Sequence, residues 1–269
     1  MLFDDTTPQK LPPIVVNSVI ILILTITVYV FVYNLYCSAR LLYTRRRSSG
    51  ARRTIPVLNV VPNLVGSIAS AYALVQRAWP GAGTCQAIAA LDVLTIACGV
   101  PAITAILFIR AYYTWMRHKW LKYLGGSMVF ATFVVNISLF PLLPSRPDGK
   151  GYCLIEANRT WAMFKLGAET VSNVTLSGLY LIVLRQMARS SLSVPLYKKL
   201  YREGIFSTFF VVVSSMVPAI VVSLKMAPSI EPFIYGADIV INATIINHML
   251  CRNMKNPTRT CRNYDAQLE

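Results

Sequence analysis

Asp92, Lys165, Glu169 and Asp238 are ionisable side chains set inside long apolar runs of a 269-residue chain, and Arg110 closes another such run. Charge in hydrocarbon is costly and persists only where it pairs, binds something or lines a wet cavity, so each of these residues marks a candidate site. Lys165 and Glu169 are four residues apart, the spacing of neighbours on one helix face. Such a pair neutralises itself, or turns its ammonium toward another carboxylate such as Asp92 or Asp238. Asp238 stands one turn before Asn242, giving a polar patch that either holds water or a cation or is a hydrated packing cluster. Asp92 pairs with a bound cation or with a group inside the protein, the internal partner being the favoured reading. Arg110, at the end of its run, either snorkels to the interface or faces inward.

These residues need helices to hold them. The chain is 55% hydrophobic and 14% charged, a composition of membrane proteins and not of soluble domains. A membrane-crossing helix takes about 20 mostly apolar residues. Seven stretches qualify: Ile14 to Tyr36, Thr54 to Gln76, Cys85 to Ile109, Leu121 to Leu143, Trp161 to Leu184, Gly204 to Leu224 and Pro232 to Leu250. The second, with Pro56, Asn59, Pro62 and Asn63, and the seventh, with Asp238, Asn242, Asn247 and His248, are the weakest. The expected architecture is an all-α membrane protein, a seven-transmembrane helix bundle over 14–250, with an extracellular amino terminus over 1–13 and a cytoplasmic tail over 251–269. The start, with Asp4 and Asp5, is not that of a cleaved signal peptide, so the first span is expected to serve as its own signal.

Orientation follows from the basic residues, which are retained on the cytoplasmic side. Most of the 26 lysines and arginines fall between spans one and two, three and four, five and six, and after span seven, including Arg40, Arg45, Arg46, Arg47, Arg52 and Arg53. The amino terminus is therefore expected outside and the carboxyl terminus inside. The net charge of +15 lies along an inner rim that attracts anionic lipid and gives no reason to expect nucleic-acid binding. Asn158-Arg159-Thr160 is a glycosylation sequon in an expected outer loop, whereas Asn136, Asn173 and Asn242 lie within spans. Of six cysteines only Cys85 and Cys153 map outside, where a disulfide persists; they either bridge or are unrelated thiols. Cys37, Cys251 and Cys261 lie on the inner side near span ends, where palmitoylation is one reading and idle thiols the other. Cys98 is in mid-span, a packing position.

No nucleophile and base pair, phosphate loop or metal-spaced cluster is evident, so neither catalysis nor a cofactor is expected. Span seven has no lysine for a retinal Schiff base. A transporter or channel is a rival reading, since Asp92, Glu169 and Asp238 would line a polar path, but no internal symmetry supports it. Pro218 is a candidate pivot, because a proline-containing helix in a bundle has more than one way of satisfying its freed backbone groups.

Taken together, seven spans, an outside amino terminus, Cys85, Cys153 and Arg110 resemble a rhodopsin-like (class A) G-protein-coupled receptor. In that family a cysteine opening span three bridges to the second outer loop and is followed twenty-five residues later by the arginine of an Asp-Arg-Tyr motif. Arg110 follows Cys85 at that distance, in the sequence Ile109-Arg110-Ala111-Tyr112, which keeps the arginine but has neither the motif's acid before it nor its tyrosine directly after it. Pro218 matches the family's sixth-span proline, with Met216 in place of the usual tryptophan, and Asn242 matches the asparagine of the seventh-span motif. The segment Cys251 to Arg262 resembles the short amphipathic helix that follows. The eroded motifs, with no span-two aspartate, span-four tryptophan or span-five proline, are similar to those of receptors carried by herpesviruses, the betaherpesviruses in particular.

The resemblance implies signalling through a heterotrimeric G protein contacted by Arg110, with Met216, Pro218 and Asn242 as switch elements. It implies a ligand pocket drawing on Asp92, Lys165, Glu169 and Asp238 for a small molecule, lipid or peptide, or no ligand at all. Residence in the plasma membrane or endomembranes follows, of a host cell if the protein is viral. With Ile109 replacing the acid, Arg110 lacks a restraint on the resting state, which implies elevated basal activity. The non-signalling alternative is a seven-span protein that binds or diverts other membrane proteins.

Overall fold

The structure, a computed structural model, describes residues 13–46, 51–79, 81–115, 117–138, 145–147, 153–155, 159–189, 195–223 and 231–252. Among these, seven helices follow one another: α1 (Pro13–Thr44), α2 (Ala51–Ala78), α3 (Cys85–Thr114), α4 (Lys119–Ile137), α5 (Arg159–Arg189), α6 (Pro195–Ser223) and α7 (Glu231–Arg252). Between α4 and α5 lies an antiparallel pair, β1 (Ser145–Pro147) and β2 (Cys153–Ile155), in which Arg146 faces Leu154 and Pro147 faces Cys153. This six-residue pair is confined to one loop, and the architecture is all-helical as expected. A loop that must turn back over a bundle satisfies backbone groups by pairing with itself.

Five stretches are long and apolar enough to cross a membrane: Asn17–Thr44, Arg53–Ala78, Cys85–Thr114, Lys119–Ile137 and Met163–Gln186. The helical, membrane-type bundle is thus present. Expected spans six and seven are helices, but among the described residues neither qualifies by length and apolarity; α6 contributes only the shorter apolar stretch Gly204–Ser214. The doubtful second span does qualify, and α2 runs unbroken through Pro56 and Pro62. Neighbouring helices and polar side chains make proline tolerable there; the Asn63 amide, for example, donates to the Asn59 carbonyl at 2.6 Å. Of expected span four, α4 covers Leu121 to Ile137, and 139–144 lie outside the described residues.

The most buried of the five stretches is α3, which touches α2, α4, α5, α7 and β1. It opens at a Thr84 cap whose hydroxyl accepts from the Ala87 amide at 3.3 Å. That bond supplies one of the partners a helix start lacks. Phe31, Val93, Ile96, Val100, Trp161 and Ile239 form a core joining α1, α3, α5 and α7. Nearer the other end of α3, Ile103 and Ile106 pack with Ile246. Close approach is bought at two glycines: a Cβ on Gly66 would lie 2.5 Å from the Phe31 ring, and one on Gly125 would overlap Phe108. Trp161 and Trp115 add polar ties, donating to the Val135 carbonyl at 2.9 Å and the Leu179 carbonyl at 3.0 Å.

Candidate functional site

Arg110 is half-buried at the end of α3, and its guanidinium points into the bundle. It sits in a small pocket with Leu176, Ser177 and Tyr180 of α5, Thr208 of α6 and Met249 of α7. The guanidinium lies 5.0 Å from the Tyr180 ring centre, within cation–π range, and donates to the Met249 sulfur at 3.6 Å. Among the described residues it has no carboxylate partner. Arg110 is therefore held by soft, polarisable contacts on helices α5 and α7.

At the opposite end of the same helix, Cys85 is engaged in a disulfide. Cys153 lies in β2, paired with β1, which itself packs on α3; its side chain is outside the described set. Cys37 and Cys98 are free thiols.

Two polar clusters occupy the interior. In the first, Lys165 and Glu169 form an ion pair at 2.8 Å, with the two residues only 3% and 4% exposed. This matches the expectation from their spacing. Asp238 of α7, also buried, is close enough to interact electrostatically with Glu169. The Asn242 amide donates to Asp238 at 2.9 Å, and the Ser214 hydroxyl of α6 donates to Asn242 at 3.1 Å. The expected Asp238 and Asn242 patch is thus real, and it extends to α6.

Sequence reasoning missed the second cluster, which ties α7 to α1 and α2. The Asn34 amide donates to Thr244 at 2.8 Å and receives on its oxygen the Asn247 amide at 3.0 Å. The Asn247 oxygen accepts from Ser38 and Asn59, each at 3.3 Å, and Asn59 also donates to Ser38 at 2.7 Å. The signal was present in the sequence: Asn34 and Ser38 are one turn apart at the inner end of the first apolar run, and Asn59 and Asn63 are one turn apart within the second.

Other expected site residues fall elsewhere. Among the described residues Asp92 has neither a hydrogen bond nor an ion pair, so the favoured internal partner is not found. Met216, expected as an inward switch contact, is 44% exposed. Val211 and Ser214 mark the buried face of α6, and Met216 lies two residues on, roughly half a turn round the helix. Pro218 and Cys251 are in α6 and α7, with side chains outside the described set; Asn158, Cys261 and the expected amphipathic segment beyond Arg252 lie outside the described residues. The sequon asparagines Asn136, Asn173 and Asn242 are buried. No protein-family pattern and no curated protein matches the chain.

Proposed function

We propose that this chain is a seven-span signalling receptor of the rhodopsin-like, G-protein-coupled kind, with its amino terminus outside and Arg110 at the cytoplasmic coupling face. The observation that carries the reading is Arg110, which turns inward among α5, α6 and α7 from the helix whose other end holds a disulfide-bonded Cys85. An arginine serving only as an interfacial anchor would reach outward to headgroups. Here a modest outward movement of α6 would open the pocket around the guanidinium to a cytoplasmic partner. In this reading Cys153 is the partner of Cys85, and the β1–β2 hairpin forms a lid over the outer end of α3. Asp92 then offers an unpartnered carboxylate to a cationic ligand.

Heterotrimeric G protein is the partner proposed, and a surface or internal membrane of the cell, or of an infected host cell, the site of action. The interior charges Glu169, Lys165 and Asp238 keep a small transporter or channel as the rival. The deciding experiment compares wild type with Arg110→Ala at matched surface expression, reading second messengers and nucleotide-sensitive G-protein association. The proposal expects association that guanine nucleotide disrupts and that Arg110→Ala abolishes. Substrate flux in proteoliposomes without G-protein association would overturn it.

A further inference from the structure

One face of α1 packs on α2 and α7 through Ile20, Leu24, Phe31, Asn34, Ser38 and Leu41, all buried. The other face is exposed and carries Leu22, Ile26, Tyr29, Tyr33, Tyr36, Arg40 and Tyr43, stepping alternately by four and three residues. That is an unbroken 3.5-residue repeat, the spacing that keeps one seam facing a partner helix along its length. Tyr29, Tyr36 and Tyr43 are 71%, 63% and 77% exposed. On a rise of about 1.5 Å per residue, Tyr29 stands about 18 Å from one end of the apolar stretch Asn17–Thr44 and about 22 Å from the other. Its hydroxyl is thus near the middle of a bilayer, whereas lipid-facing tyrosines collect at the two interfaces. Hydrocarbon offers no hydrogen-bond partner, and among the described residues none meets the hydroxyls of Tyr29 or Tyr36.

We infer that this tyrosine seam is a self-association surface, occupied by α1 of a second copy of the chain. Copies of one sequence insert in one orientation, so two α1 helices meet parallel, about a two-fold axis along the membrane normal. In that arrangement each layer faces itself: Tyr29 meets Tyr29, and Tyr36 meets Tyr36. A phenol both donates and accepts, so identical tyrosines satisfy one another where a wholly apolar partner would not. By the same symmetry Arg40 faces its counterpart at the inner end of the seam, where each cation lies between the partner's Tyr36 and Tyr43 rings and anionic headgroups offset the like charges.

The test uses the full chain, purified and reconstituted in phosphatidylcholine vesicles, with separate donor- and acceptor-labelled pools. Energy transfer is expected to rise with protein-to-lipid ratio and to saturate as for a dimer. Tyr29→Phe/Tyr36→Phe, which removes only two exposed hydroxyls, is expected to associate roughly five- to tenfold less tightly, with unchanged helical circular dichroism. In a Cys37→Ser background, Tyr29→Cys and Tyr36→Cys should each crosslink to a dimer more readily than Val171→Cys on the exposed face of α5. Random-collision energy transfer, an unweakened double variant, or equal crosslinking at Val171→Cys would each overturn the inference. Transfer that appears only with added sterol or a foreign helix would do so too, because it would assign the seam to another occupant.

Discussion

Lys165 and Glu169 provide the sharpest energetic test of the interior. At 2.8 Å, and with an effective dielectric constant near 20, their attraction is about 6 kcal/mol before desolvation. Desolvation of two buried charges takes back most of that, so the intact pair contributes little net stability. Removing one member is a different matter. Lys165→Met leaves Glu169 buried and still facing Asp238, a like charge that already acts on it, and should cost about 3–5 kcal/mol. Glu169→Gln should cost less, because it also takes a negative charge from beside Asp238. Lys165→Met/Glu169→Gln removes both charges of the pair and should recover most of that cost, with Asp238 still held by the Asn242 amide. Thermal unfolding in detergent, followed by a dye that reacts with newly exposed thiols such as Cys98, reads these differences as shifts in Tm. The Lys165→Met shift is expected on the order of 10 °C. If the double variant unfolds as early as Lys165→Met, the cost lies in lost packing of the lysine stem, and the electrostatic reasoning fails.

Further outcomes follow from the other contacts. Asn247→Ala deletes bonds to Asn34, Ser38 and Asn59 and should destabilise the bundle by about 2 kcal/mol in the same unfolding assay. Combined with Asn59→Ala, the loss should be less than additive, since the two share a bond. Gly66→Ala drives a methyl into the Phe31 ring and should cost about 1–3 kcal/mol, part of it recovered in Gly66→Ala/Phe31→Leu. Ile109→Asp gives Arg110 an adjacent acid; if that restraint is worth about 1 kcal/mol, ligand-free second-messenger output should fall about fivefold, and an unchanged or higher level counts against the coupling role.

How far the sequence disclosed this arrangement depended on whether a signal was local. Lys165 with Glu169, and Asp238 with Asn242, are pairs within a single helix, and the 3.6-residue repeat alone was enough to place them together. Five apolar runs were legible for the same reason, because length and composition decide them. The Asn34, Asn59 and Asn247 cluster was not, since its members come from three helices and its bonds span some two hundred residues of chain. Two of the asparagines counted against spans two and seven in composition, Asn59 and Asn247, are in three dimensions what binds those helices to α1. Met216 failed through rotation: assigning it by its distance from Pro218 fixes its height along α6 but not its face, and the packing of Ser214 against Asn242 sets the face.

The same cluster bears on whether α7 belongs in the membrane at all. Taken alone, a helix carrying Asp238, Asn242 and Asn247 is a poor candidate for crossing, because unpartnered amides and carboxylates in hydrocarbon are costly. Its apolarity understates its fitness for the bundle, since Asn242, Thr244 and Asn247 spend their hydrogen-bonding capacity on α6, α1 and α2. Desolvation is then offset by partners already in place, and the penalty falls on α7 when α1, α2 or α6 is missing. A chain truncated before α7 should accordingly keep α1 and α2 inserted but leave Asn34 and Asn59 without acceptors or donors across the gap. An α7 segment expressed alone should fail to insert, and co-expression with the remaining helices should rescue it, which glycosylation-site mapping of its two ends would read. Rescue lost on Asn34→Leu/Asn59→Leu would assign it to these amides; rescue that persisted would assign it to the apolar contacts of Ile239 and Ile246 instead.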